Sequence, residues 1–212
     1  IKRWLALAQD ISQIHTWTIT GTWATGDTAT FTINDKALIL TLGTDVTTTD
    51  VAREIAAMIN AVNATAGLSG TVSDETRNFA GQEFGEWTEI KATSSGAVLT
   101  LTSTPGIPVT ITATETTAGN GAVGSATVVQ AASGKWFFND AMNWSGGSVP
   151  SGSDTILFDQ GNIDVRYALN NTTADLNLFR TNGYTGNIGL PPFHETANVA
   201  GSLGYVEYRQ RY

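Results

Sequence analysis

Hydrophobic positions in this chain follow two different periods. From Thr16 to Leu42 they largely alternate, with Ala29, Phe31 and Ile33 on one side of an extended chain and Thr28, Thr30 and Thr32 on the other. That is the pattern of a half-buried strand. The Asn34-Asp35 pair interrupts the apolar runs between Thr30 and Leu40, and because Asn and Asp both tolerate positive φ, it predicts a β-hairpin with a two-residue turn. From Thr47 to Val62 the period lengthens. Val51, Ile55, Met58, Ile59 and Val62 fall on one stripe, which predicts a helix over 47–62. Thr47 is placed to cap it, and Asp50 suits the positive end of its dipole. No other stretch makes a convincing helix.

Ala64 to Gly85 is mostly polar and reads as a long connection. Strand periodicity returns at Trp87–Thr93, Ala97–Ser103 and Val109–Glu115, the last two separated by the turn signal Thr104-Pro105-Gly106, with a short strand at Ala126–Val129. Residues 1–132 therefore predict a small α+β domain, an antiparallel sandwich with one helix. Composition changes at Ser133-Gly134, and 133–212 reads as a second, β-rich domain. Its short strands, Thr155–Phe158, Ile163–Leu169 and Ala174–Phe179, suggest a β-sandwich or a β-solenoid-like segment. The stretch Gly204–Tyr212 alternates like a strand and stops without a turn. Tyr205, Val206 and Tyr208 are thus a candidate assembly edge, completed by another chain or by further sequence of a longer product. The fold class expected is mainly β with one helix.

Composition changes the picture in three ways. With 212 residues and 41% hydrophobic content, the chain can bury a core. Only 14% of residues are charged while 33 are threonine, so its surface is dressed with hydroxyls more than with charges. A net charge of -8 argues against nucleic acid or an anionic membrane as partner, since both demand a cationic face. No apolar run is long enough for membrane insertion, and Ile1–Ala8 is too short for the apolar region of a signal peptide. The absence of cysteine removes disulfides, thiol catalysis and thiolate metal sites together.

Candidate chemistry is correspondingly thin. The two histidines, His15 and His194, stand far apart and lack a nucleophile-elbow context. Asp154, Asp159 and Asp164, like Glu83, Glu86 and Glu89, read as solvated loop acids, because no calcium-loop or glycosidase pattern surrounds them. The stretch Ala118–Gly124 leads into a strand, so it fails as a phosphate cradle. No catalytic, cofactor-binding or metal residue is expected, and the chain reads as no enzyme. Trp17, Trp23 and Trp136 suit a β core. Trp144 lies in the Gly/Ser stretch Asn143–Pro150, where exposure is expected, which makes it a candidate glycan contact.

Two sets of segments carry a resemblance. Gly26–Lys36, Leu42–Asp45 and the helical Asp50–Asn60, continued by Val98–Thr102 and Pro108–Thr114, resemble a hairpin-plus-helix module of structural proteins of tailed bacteriophages and prophages. Asn143–Pro150, Gly183–Pro191 and Glu207-Tyr208-Arg209 look like phage-like proteins of environmental and planctomycete genomes, whose chains usually continue past the Glu-Tyr-Arg segment. The resemblance implies a non-enzymatic structural component of a virion: a capsid decoration, tail or fibre protein. Its implied partners are copies of itself and other virion proteins, and its implied location is the virion. The alternative is a surface adhesin or glycan-binding module, extracellular or on a cell surface, whose partner would be a host-surface glycan.

Overall fold

The computed structural model describes residues 1–34, 36–60, 69–74, 89–152, 154–169 and 177–189. In chain order these hold β1 (Lys2–Arg3), β2 (Ile14–Thr18), β3 (Thr28–Ile33), β4 (Lys36–Thr41), helix α1 (Thr48–Asn60), β5 (Thr71–Asp74), β6 (Ile90–Ser95), β7 (Val98–Ser103), β8 (Ile111–Thr116) and β9 (Thr127–Gln130). After a short 3₁₀ turn at Ala141–Asn143 come β10 (Thr155–Phe158) and β11 (Asn177–Arg180). The protein is mainly β, and α1 is the one α-helix among the described residues.

The chain divides into two compact units, Ser12–Ala132 and a second unit that joins Ile1–Ile11 to the chain from Ser133 onward. The change of composition at Ser133 marks that division, but the first eleven residues, read from the sequence as part of a 1–132 domain, belong with the second unit. The first unit is thus an insertion in the second. At its stem, Ile11 N–H donates to Ser133 O (2.9 Å) and Ser133 N–H returns a bond to Ile11 O (3.3 Å). Lys135 Nζ lies 2.9 Å from Asp10 Oδ2, and Lys135 N–H donates to Asp10 Oδ1 (3.1 Å). Gly134 between them has φ 150, and a Cβ there would meet Asp10 Oδ1 at 2.4 Å, so only glycine fits.

In the Ser12–Ala132 unit, two four-stranded antiparallel sheets run in the orders β6-β7-β2-β9 and β5-β4-β3-β8. Their inner faces share one core with α1. Trp17, Leu99 and Leu101 come from one sheet, Phe31, Ile33, Leu38 and Leu40 from the other, and Val51, Ile55, Met58 and Ile59 from the helix. The Trp17 and Phe31 rings meet edge to face at 5.5 Å. The β3–β4 hairpin pairs Ile33 with Lys36, and Asn34 takes φ 49, the left-handed conformation that the two-residue turn requires. Thr47 Oγ1 caps α1 by accepting from Asp50 N–H (3.2 Å). The last helical residue, Asn60, clamps Ala92 of β6, donating to its carbonyl and accepting from its N–H, both at 2.8 Å.

Two sequence expectations need amendment, and one falls outside the described residues. The Ala64–Gly85 connection contains strand β5, paired with β4; its Thr-Val-Ser-Asp sequence has a single apolar residue and so gives no periodicity. Ile163–Leu169 forms no strand, only isolated bridges at Val165 and Tyr167. Val62, the last residue of the predicted helix stripe, lies outside the described residues.

The second unit is built differently. β10 pairs in parallel with β1 on one side and β11 on the other. Trp4, Phe138, Trp144, Ile156, Phe158, Val165 and Tyr184 form its core. Asn143 anchors the approach to it: fully buried, it donates from Nδ2 to Gly134 O and Phe137 O, both at 2.8 Å, and accepts at Oδ1 from Ala8 N–H (2.9 Å).

Candidate assembly surface

Parallel pairing in the second unit is repeated at nearly constant offset. Thr155 through Phe158 face Asn177 through Arg180, 22 positions later, whereas Gly161 bridges Tyr184 and Val165 bridges Ile188, each 23 later. Backbone bonds knit the two layers: Thr181 N–H to Phe158 O (2.9 Å), Thr185 N–H to Gly161 O (2.9 Å), Val165 N–H to Asn187 O (2.8 Å) and Gly189 N–H to Val165 O (2.8 Å). Two successive stretches of chain therefore lie on one another in register, as layers of a β-solenoid do. The layer on the other side of 155–169 is assembled from two separate pieces. β1 runs beside β10, while Trp136–Phe138 runs beside Tyr167, with Phe138 N–H donating to Tyr167 O (3.0 Å) and Tyr167 N–H donating to Trp136 O (3.1 Å).

In a parallel, in-register stack paired residues point to the same side. Leu178 continues the row of Ile156, and Phe179 that of Leu157. Ile156 is buried, yet Leu178 is 49% and Phe179 58% exposed. Among the described residues β11 has a neighbouring strand on one edge only, so its other edge presents unpaired backbone groups beside two apolar side chains. Such an edge is a template for a further strand. Nothing in the sequence singled out Leu178 and Phe179; the one signal was two consecutive apolar residues, which breaks the alternation of a strand with a solvated face.

In the inserted unit the outer faces carry hydroxyls. Thr28, Thr30 and Thr32 of β3 stand opposite Thr116, Thr114 and Thr112 of β8, and Thr16 of β2 stands between Thr100 of β7 and Thr127 of β9. Cross-strand threonine pairs of this kind stabilise a sheet by about 0.2–1 kcal/mol each. Edge strand β9 leaves Val128 and Val129 exposed.

The assembly edge expected at Tyr205, Val206 and Tyr208 lies outside the described residues, as do His194, Glu83 and Glu86. Trp144, expected to be open to a glycan, is 1% exposed. Its Nε1–H donates to Phe138 O (2.7 Å), and its ring meets those of Trp4, Phe138 and Phe158, so neither face is free for a sugar. Trp17 and Trp23 are core residues. Trp136 is half-buried, with Lys135 Nζ 4.6 Å and the Arg166 guanidinium 5.2 Å from its ring centre.

Asp154, Asp159 and Asp164 are engaged in local structure. Asp154 Oδ2 accepts from Ser151 N–H (3.0 Å), Asp159 Oδ2 pairs with Arg3 Nε (3.0 Å), and Asp164 accepts from Asn187 N–H (2.8 Å) and Arg166 Nη2 (2.9 Å). Burial raises the Asp164 pKa, but the Asn187 N–H and Arg166 outweigh it and the net direction is down. Tyr184, whose hydroxyl donates to Ile163 O (2.7 Å), is pushed up to about 12 by burial and then by the nearby Asp164 carboxylate, against the pull of Arg180. The Asp164 shift thus reflects hydrogen bonds within the unit, and the Tyr184 shift its burial. Among the described residues no three His, Asp or Glu side chains converge to hold a metal ion. Compared with family models, curated proteins and solved structures, the chain matches none.

Proposed function

We propose that the chain is a non-enzymatic structural component of a bacteriophage virion, a capsid decoration, tail or fibre protein, that works through β-rich contacts with copies of itself and with other virion proteins. The observation that supports this reading most is the edge of β11 that has no neighbouring strand among the described residues, with Leu178 and Phe179 exposed beside it. Hydroxyl-coated sheets and a charged fraction of 14% favour broad polar contacts over electrostatically steered encounters. The resemblance of the hairpin-plus-helix segments to phage structural proteins supplies the setting. For the glycan-binding alternative, the buried position of Trp144 removes the aromatic from which that reading was drawn.

Light scattering over a concentration series tests the proposal. The purified chain is expected to form a closed oligomer or an ordered higher assembly. Phe179→Asp should abolish it while shifting the unfolding midpoint by no more than about 0.5 kcal/mol, as for an exposed position. A chain that stays monomeric at every concentration, or an assembly that tolerates Phe179→Asp, would overturn self-association through this edge.

A further inference from the structure

Gln13, just ahead of β2, is buried with every polar atom committed. Its N–H donates to Ser103 Oγ (2.9 Å), and its carbonyl accepts from Ser103 N–H (2.9 Å). In the side chain, Nε2 donates to Val109 O (2.6 Å) and Oε1 accepts from Val109 N–H (3.2 Å). The two bonds to Val109 decide which end of the amide is which, because the flipped amide would set N–H against N–H and oxygen against oxygen. Nε2 has a second hydrogen, and His15 Nε2 lies 3.2 Å away. A ring nitrogen facing a donor must accept. His15 is therefore neutral with its proton on Nδ1, and Nδ1 is buried without a partner.

We propose that Gln13 and His15 form an acid-sensitive latch: neutral His15 holds the Gln13 amide in the orientation that ties β2 to Val109, and protonation of His15 releases it. β2 belongs to one sheet and Val109 leads into β8 of the other, so the latch spans both sheets of the sandwich. A proton on Nε2 sets N–H against N–H. Rotating the Gln13 amide relieves that clash and forfeits both bonds to Val109.

Among the described residues no counter-charge is paired with the imidazole. β7, β9 and Thr104–Thr110 carry no charged side chain, and His15 is the one titratable residue of β2. The elements beyond carry Lys36 on β4, Asp74 on β5, Lys91 on β6, Glu115 on β8, and Asp50, Arg53 and Glu54 on α1. Arg53 is engaged by Asp45 and Asp50, and Glu54 by Ser69. Burial pulls the His15 pKa below its ordinary value. With the folded value below the unfolded one, the stability present above the ordinary histidine value is lost as the pH falls through it towards the folded value.

NMR of the full chain between neutral and acid pH tests the latch. The His15 ring should be the Nδ1–H tautomer at neutral pH. As it titrates, hydrogen-exchange protection of the Val109 amide, corrected for the intrinsic pH dependence, should drop by about tenfold or more. His15→Phe should remove that step. An Nε2–H tautomer in the unmodified chain, or Val109 protection indifferent to the His15 titration, would overturn the proposal; both readings hold even if His15→Phe fails to fold.

Discussion

Trp144 illustrates how a side chain in a glycine-rich stretch becomes the centre of a core. Its indole sits 5.0 Å from Trp4, 4.9 Å from Phe138 and 5.9 Å from Phe158, ring centre to ring centre, with near-perpendicular planes. That arrangement suits the ring quadrupoles. Truncating such a side chain leaves a cavity that the surrounding rings cannot fill, so Trp144→Ala should destabilise its unit by about 3–5 kcal/mol. Trp144→Phe keeps much of the packing and should cost less. Chemical denaturation followed by aromatic fluorescence would measure both, and a Trp144→Ala midpoint within about 0.5 kcal/mol of the parent would remove the residue from the core. The reason this was not legible from the sequence is Asn143. Local composition, Ser145-Gly146-Gly147-Ser148, speaks for an exposed loop, whereas the fully buried Asn143 amide draws the segment inward through Gly134, Phe137 and Ala8. Trp17 and Trp23 were legible as core, since they lie in or beside an alternating strand pattern.

At the scale of the element, the β3–β4 turn joins two requirements in one residue. Asn34 must hold φ 49, and its side-chain oxygen accepts from Thr110 N–H (2.9 Å) and Thr110 Oγ1 (3.3 Å), which fastens the turn to the start of β8. Asn34→Gly satisfies the backbone and loses the side-chain bonds. Asn34→Ala loses both, and the added left-handed penalty of about 1 kcal/mol or more should make it the more destabilising change. Thermal unfolding of the two variants would show the order; equal effects would mean that the backbone conformation carries no cost at this turn. Hairpin, helix and the later strands were readable because each buries one face against a shared core, which stamps a period of two or 3.6 on the sequence. β5 has too few apolar positions to carry a period. Val165 and Tyr167, although in a predicted strand, make only single bridges, Val165 to Ile188 on one side and Tyr167 to Phe137 on the other, and Ala168 leaves the extended conformation at φ 57.

At the scale of the whole molecule, the defining feature is an insertion, and no local pattern could have disclosed it. Its stem joins Ile11 to Ser133, and the layers of the host unit repeat at 22–23 residues without repeating their residue types. Stacked parallel layers need only in-register backbone and an apolar inner row, so Phe158 can lie against Tyr184 and Ile156 beside Leu178 with no sequence identity between layers. Each unit has a core of its own. Among the described residues, the core of the inserted unit draws on residues between Trp17 and Val123, the other core on residues outside Ser12–Ala132, and both four-stranded sheets lie within the insertion. A fragment spanning Ser12–Ala132 should consequently fold by itself, with a cooperative thermal transition and a β-rich circular dichroism spectrum, since it keeps its complete core and every sheet pairing. Its ends are adjacent in the parent through the Ile11–Ser133 bonds, so excision imposes no strain. A fragment that melts without cooperativity would mean that the host unit supplies stability to its guest, and that the insertion is a single folding unit with the layers that carry it.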